Sequence, residues 1–136
     1  MDFMKSIAVA ASGLRAQAGR MRVISENIAN AESTAQTAGG EPYRRKVPTF
    51  SSALDRSLDA KTVSLGKVRP DQSAFRIKHE PGNPAADASG NVKYPNVNPL
   101  VEMTDMREAQ RSYEANINVI GVTRRMIQRT LDILKA

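Results

Sequence analysis

The chain has 136 residues, of which 40% are hydrophobic and only 4% aromatic, with no tryptophan and no cysteine. Large aromatic side chains dominate many cores, so any core here is thin and aliphatic, and disulfide or thiol chemistry is excluded. Lysine and arginine exceed aspartate and glutamate by 20 to 14, but the excess is spread along the chain, whereas nucleic-acid binders gather basic charge on one face or tail.

The first segment reads as a helix over about residues 3–30. Ile7, Leu14, Met21 and Ile28 recur every seven residues, and Phe3, Ala10, Gln17 and Ile24 form a second row, apolar apart from Gln17. A strict seven-residue repeat favours supercoiled packing, because 3.6 residues per turn would otherwise drift off the seam. The start does not read as a cleaved leader. Asp2 offsets Lys5, the apolar stretch is short, and Arg15 interrupts the approach to "AQA" (16–18). In "ISENIANAEST" (24–34) the apolar spacing gives way to short polar side chains. Asn27 and Asn30 then mark the end of the helix, since Asn tolerates the left-handed conformation that commonly ends helices. Amide hydrogen bonds to adjacent helices or subunits are their alternative role.

Residues 35–98 change character, with proline and glycine punctuating short β-prone pieces such as Thr62–Leu65 and Phe75–Lys78. Extended loops with two to four short strands are expected here, and no large second core. Arg44-Arg45-Lys46 is the densest basic cluster and reads as a solvated or intersubunit loop. His79 is the only histidine, and no cysteine exists to join it in a zinc site. "DASGN" (87–91) faintly resembles a calcium loop but lacks the glycine expected at position six, has Asn98 where the terminal acid should stand, and reads as a turn. There is no phosphate-binding glycine loop, no nucleophile motif and no convergent pair of acids. No catalytic residue, metal ligand or cofactor is expected, and the chain does not read as an enzyme.

A second long helix is expected over about 99–134, with Asn98 as cap and Pro99 in the first helical position. Met106, Tyr113, Ile120, Ile127 and Leu134 stand seven apart, with Gln110, Ile117, Arg124 and Leu131 as a more polar companion row. Acids lie toward the start and arginines toward the end, which suits the helix macrodipole. Asn116 and Asn118 are poor helix formers, and one reason to keep an amide in a helical seam is that it fixes register.

These readings predict a mainly α subunit: an N-terminal axial helix (1–34), a central loop and short-strand region (35–98) and a C-terminal axial helix (99–136). The helices should pair in coiled-coil fashion, the row led by Ile7 facing the row led by Met106, with Asn27, Asn30, Asn116 and Asn118 as polar register contacts. No apolar run approaches the roughly 18 residues of a membrane span, so membrane insertion is not expected. Pattern alone describes a generic coiled-coil interaction protein. A small basic nucleic-acid-binding helical dimer is the reading from a different class, and it demands a strongly salt-dependent affinity that dispersed charge does not supply.

Three stretches add a resemblance: "SGLRAQAGRMRVISENIANAEST", "GGEPYRRKVPTF" and "YPNVNPLVEMTDMREAQRSYEANINVI". In order, and over nearly the whole chain, they resemble the flagellar axial proteins. The first motif is shared by rod, hook and hook-associated members. The other two together resemble the proximal-rod members, and "GGEPYRRK" argues against the sister protein FlgB. Glu32 departs from the pattern, standing where the family often has Asn or another small polar residue. The resemblance implies a structural subunit that assembles through its terminal helices into the shaft joining the motor to the hook. It also implies export through the flagellar type III apparatus without a cleaved signal, and a place in the periplasmic rod of the basal body. Implied partners are rod proteins of the FlgB, FlgF and FlgG type, the rod adaptor FliE, and further copies of the chain itself; nucleic acid is not among them.

Overall fold

The computed structural model describes residues 2–135. Two long helices enclose six short strands in sequence: α1 (Phe3–Ala29), β1 (Lys46–Val47), β2 (Phe50–Asp55), β3 (Ala60–Leu65), β4 (Arg69–Pro70), β5 (Arg76–His79), β6 (Asn91–Tyr94) and α2 (Pro99–Lys135). The strands form three separate two-stranded antiparallel pairs, β1 with β4, β2 with β3, and β5 with β6. The strands therefore outnumber the two to four expected. The additional ones, β1 and β4, are two residues each, too short to show alternation in a sequence.

Both helices begin at side-chain caps. The Asp2 carboxylate accepts hydrogen bonds from the backbone N–H groups of Met4 and Lys5, each at 3.1 Å, satisfying donors that a helix start leaves open. Asn98 does the same for Leu100 at 3.1 Å, with Pro99 following it. α1 ends where the Asn30 amide turns back onto the Glu26 carbonyl at 2.9 Å.

The chain divides into two compact units. The first combines α1 up to Met21, the segment Thr49–Lys67 and α2 from Arg107 onward. Here α1 carries the β2–β3 hairpin. The buried Ser12 hydroxyl accepts from Val63 N–H at 3.2 Å, and a Cβ at Gly19 would lie 2.9 Å from Leu65 Cδ2. Toward α2, a Cβ at Gly13 would lie 2.9 Å from the Asn116 amide nitrogen, and Arg20 pairs with Glu108 at 3.4 Å. Those two contacts run in opposite chain directions, so the helices are antiparallel in this unit. Among the described residues, the buried ones of this unit are Ala10, Ser12, Ala16, Ala109 and Thr123.

The second unit combines Arg22–Pro48 with Val68–Met106. Its small apolar cluster is Ala85, Val92 and Tyr94, with Ala35 and Ala86 packed against it. "DASGN" forms a turn closed by the Asp87 carboxylate, which accepts from the N–H groups of Ser89 and Asn91 at 2.8 and 2.9 Å. Gly90 takes φ +76° there, a backbone conformation that favours glycine. Arg76 ties the exit of α1 to β6, donating to the carbonyls of Ala31 (2.8 Å) and Pro95 (3.1 Å). Glu32 joins this lock, accepting from Arg76 at 3.1 Å, with Lys78 at 3.8 Å.

Candidate functional site

The most heavily bonded site lies within the second unit and is polar. Asn27 is fully buried, on the last turns of α1. Its amide nitrogen donates to the Lys46 carbonyl at 2.8 Å and to the Glu102 carboxylate at 3.0 Å. Its amide oxygen accepts from the Tyr43 hydroxyl at 2.8 Å and from Lys46 N–H at 2.9 Å. An amide has two donors and two acceptor positions, and all four are used.

Glu102 is the largest fully buried side chain, at 1% exposure. Its second oxygen accepts from Arg45 Nε at 2.5 Å. The same guanidinium reaches Asp71 at 3.5 Å and Asp105 at 3.8 Å, so a cation sits among three carboxylates. A buried carboxylate is costly unless paired and hydrogen-bonded, and both conditions are met at Glu102. Asn96 fixes the loop from behind: its oxygen accepts from Arg45 N–H at 2.8 Å, and its nitrogen donates to the Asp71 carbonyl at 3.0 Å.

The charges respond to this packing. Desolvation pulls the Arg45 guanidinium toward neutrality, but the hydrogen bond and charge of Glu102, then those of Asp71, outweigh it and hold its pKa above the ordinary value. Burial, with the nearby carboxylates of Glu26 and Glu102, pushes the Tyr43 hydroxyl up to about 12. The backbone N–H of Ser73, followed by the Ser73 hydroxyl and Arg45, holds the Asp71 carboxyl below the usual range. Arg45 is thus the centre of an intramolecular network, where the sequence suggested a solvated or intersubunit loop. Arg44 is also held inside the chain, donating to the Asp71 carbonyl at 3.0 Å and lying over the Phe75 ring at 4.2 Å.

The residues singled out in the sequence fall into two groups. Ile24 is buried, and Ile7, Leu14, Met21 and Ile28 are half-buried on α1. Met106, Tyr113, Ile120 and Ile127 are half-buried on α2. Ile117, Leu131 and Leu134 are exposed on the single chain, at 47%, 45% and 77%. Of the four asparagines, Asn27 is enclosed, Asn30 caps α1, Asn116 faces Gly13 while bonding its own helix at Ser112, and Asn118 is exposed. Glu102, Ala109 and Thr123 are the buried positions of α2, a row seven or fourteen apart that an apolar search passes over. Glu102 carried no sequence signal beyond its place in the first turn.

Among the described residues, no group of three or more His, Asp or Glu side chains could hold a metal ion, and no helix is long and apolar enough to cross a membrane.

Comparison with known proteins places this chain, with its two long capped helices and the short antiparallel pairs between them in sequence, in the class of flagellar basal-body rod proteins. Residues 7–35 match the family model "Flagella basal body rod protein", and residues 88–133 match "Flagellar basal body rod FlgEFG protein C-terminal". The chain is 53% identical to the flagellar basal-body rod protein FlgC of Agrobacterium fabrum, covering 94% of this chain and 92% of that protein. It is 39% identical to FlgC of Bacillus subtilis, covering 99% and 100%, and 37% identical to FlgC of Salmonella typhimurium, covering 98% of each. The chain belongs to the FlgC family of flagellar basal-body rod proteins.

Proposed function

We propose that this rod subunit occupies the proximal rod and assembles through its two terminal helices, residues 1–34 and 99–136, while the central region 35–98 braces each subunit internally. Membership of the rod family makes it a structural protein of the basal body. The observation that carries the assembly reading is the exposed apolar surface of α2. Met103, Ile117 and Leu131, fourteen residues apart on one row, and Leu134 beside them are 45% or more exposed, while Ala109 and Thr123 of the same helix are buried. Apolar area removed from water stabilises by about 25 cal/mol per Å², so covering these side chains favours assembly. Coiled-coil packing between helices of adjacent subunits is the arrangement the seven-residue rows suit.

In this reading the chain is exported without a cleaved signal and takes its place in the periplasm. Its neighbours are rod proteins of the FlgB, FlgF and FlgG type, the adaptor FliE and further copies of itself. A density map of purified basal bodies with this chain traced is the direct test. It should show the Ile117, Leu131 and Leu134 side of α2 against other axial chains. A trace with that side in solvent overturns the helix-assembly reading. The mass of the chain recovered from those basal bodies checks the export reading, which requires an uncut N-terminus.

A further inference from the structure

An open groove in the second unit has a volume of about 990 Å³ and runs along α1 beside the β1–β4 pair. Arg22, Glu26 and Asn30, spaced four apart, present one ridge of α1 to it with Val23 beside them, and Tyr43, Arg44 and Lys46 with Val68 and Pro70 complete the lining. Three cations therefore share the groove with one carboxylate. That carboxylate is already taken: Glu26 pairs with Lys46. Arg44 is engaged with the carbonyls of Asp71 and Ser73 and with the Phe75 ring. The Arg22 side chain, one turn from Glu26 and exposed, has no hydrogen bond or ion pair among the described residues. The groove thus presents a cation without an anion beside the exposed Val68, at 39%, and Pro70.

We propose that this groove receives a carboxylate-bearing segment of a neighbouring rod subunit, whose acid pairs with Arg22 and whose apolar side chains lie against Val68 and Pro70. The inference rests on the reading of the chain as an assembling rod subunit and names the chemistry of one contact in that assembly. A planar guanidinium suits a carboxylate because two parallel N–H donors match its two oxygens. The apolar wall favours a protein segment over a free anion. Glu26, inside the groove, disfavours a polyanion such as nucleic acid, whose closely spaced phosphates it would repel.

The test uses a strain lacking the gene, complemented with the full chain. Wild type must restore rods and swimming; if it does not, the rod-subunit reading itself fails, independently of the groove. Arg22→Glu is expected to lose rods and motility, and Arg22→Lys to keep both. Arg56→Glu, an exposed arginine in the turn between β2 and β3 and outside the groove, should also keep both. Rods from the Arg22→Lys strain are then treated with a carbodiimide, which joins amines to carboxylates without a spacer. The expected product is a peptide linking position 22 to an aspartate or glutamate of another rod chain. Rods of normal yield from Arg22→Glu, or crosslinks from position 22 confined to Glu26 of the same chain, overturn the proposal.

Discussion

Asn27 and Glu102 meet at 3.0 Å, amide to carboxylate, although 75 residues separate them in the chain. The pair joins the end of α1 to the start of α2 within one unit, and neither group touches solvent appreciably. Replacing Asn27 by Leu leaves the Tyr43 hydroxyl, both backbone groups of Lys46 and one Glu102 oxygen without their partner. Each unsatisfied buried group costs about 1–3 kcal/mol, more when charged. Asn27→Leu should therefore lower unfolding stability by at least about 3 kcal/mol in urea titration of the purified chain. A loss under about 1 kcal/mol would show that water replaces the amide without penalty.

Removing one member of a buried ion pair costs about 3–5 kcal/mol because the other charge stays behind, whereas replacing both with apolar residues is often near neutral. Arg45→Met should accordingly destabilise strongly, and Arg45→Met with Glu102→Leu should recover part of the loss. Asp71 and Asp105 keep the double variant below wild type, since both lose their cation. The check is a comparison of denaturation midpoints for the two variants.

Gly13 is set by distance. Alanine there would raise helix propensity by about 1 kcal/mol, yet its Cβ would lie 2.9 Å from the Asn116 nitrogen, which itself donates to Ser112. Gly13→Ala is expected to destabilise, and Gly13→Ala with Asn116→Ala to be at least as stable as Asn116→Ala alone. Additive losses in that double-mutant cycle would rule out the close approach as the cause. Asn116→Leu alone should leave the subunit no less stable but impair rod assembly if the amide sets register; normal rods would leave it only its bond to Ser112.

Tyr43 and Asp71 act at opposite ends of the pH range. The Tyr43 pKa is raised in the fold to about 12, from an unfolded value near 10. Its contribution is complete below about pH 10 and is lost as pH rises through the folded value. Asp71 is lowered, so its contribution is present above an unfolded pKa of about 4 and is lost as pH falls through the folded value. Stability against pH should fall at both ends. Tyr43→Phe should reduce the alkaline limb between about pH 10 and 12, which Tyr94 shares, and Asp71→Asn should reduce the acid one, which Asp55 and Glu80 share. Profiles unchanged in these variants would assign the limbs to other groups.

Deleting residues 127–136 removes Ile127, Leu131 and Leu134 together. Two of these are exposed on the single chain and Ile127 is half-buried, so the isolated subunit should lose about 1–2 kcal/mol, less than the roughly 2–5 kcal/mol of one core truncation. Swimming, in contrast, should be abolished. Wild-type motility with the shortened protein confirmed as expressed would show that this end of α2 contributes nothing to the rod.

Much of the frame was legible in the sequence because local rules govern it. Asn98-Pro99 fixed the start of α2, and "NIAN" placed the end of α1 within a residue or so of Ala29. Strand pieces at Thr62–Leu65 and Phe75–Lys78 fall within or across β3 and β5. The polar junction was not legible, because Arg45 reaches Glu102 over 57 residues of sequence and nothing local marks such a pair. The buried side of α2 escaped for a different reason. It is made of Glu102, Ala109 and Thr123, which no search for large apolar side chains would align. Small and polar residues sit where neighbouring backbone approaches closely, as at Gly13 and Asn116, and size there matters more than hydrophobicity.

A junction made of amides and charges has a consequence for the chain before it folds. Asn27, Tyr43, Arg45, Asp71 and Glu102 are all well hydrated when apart, and they become a structural centre only once they meet. These five side chains therefore add little apolar surface of their own to the open polypeptide. Most of its selectivity is deferred to the moment of closure, when a single mismatched partner leaves a charge stranded away from water.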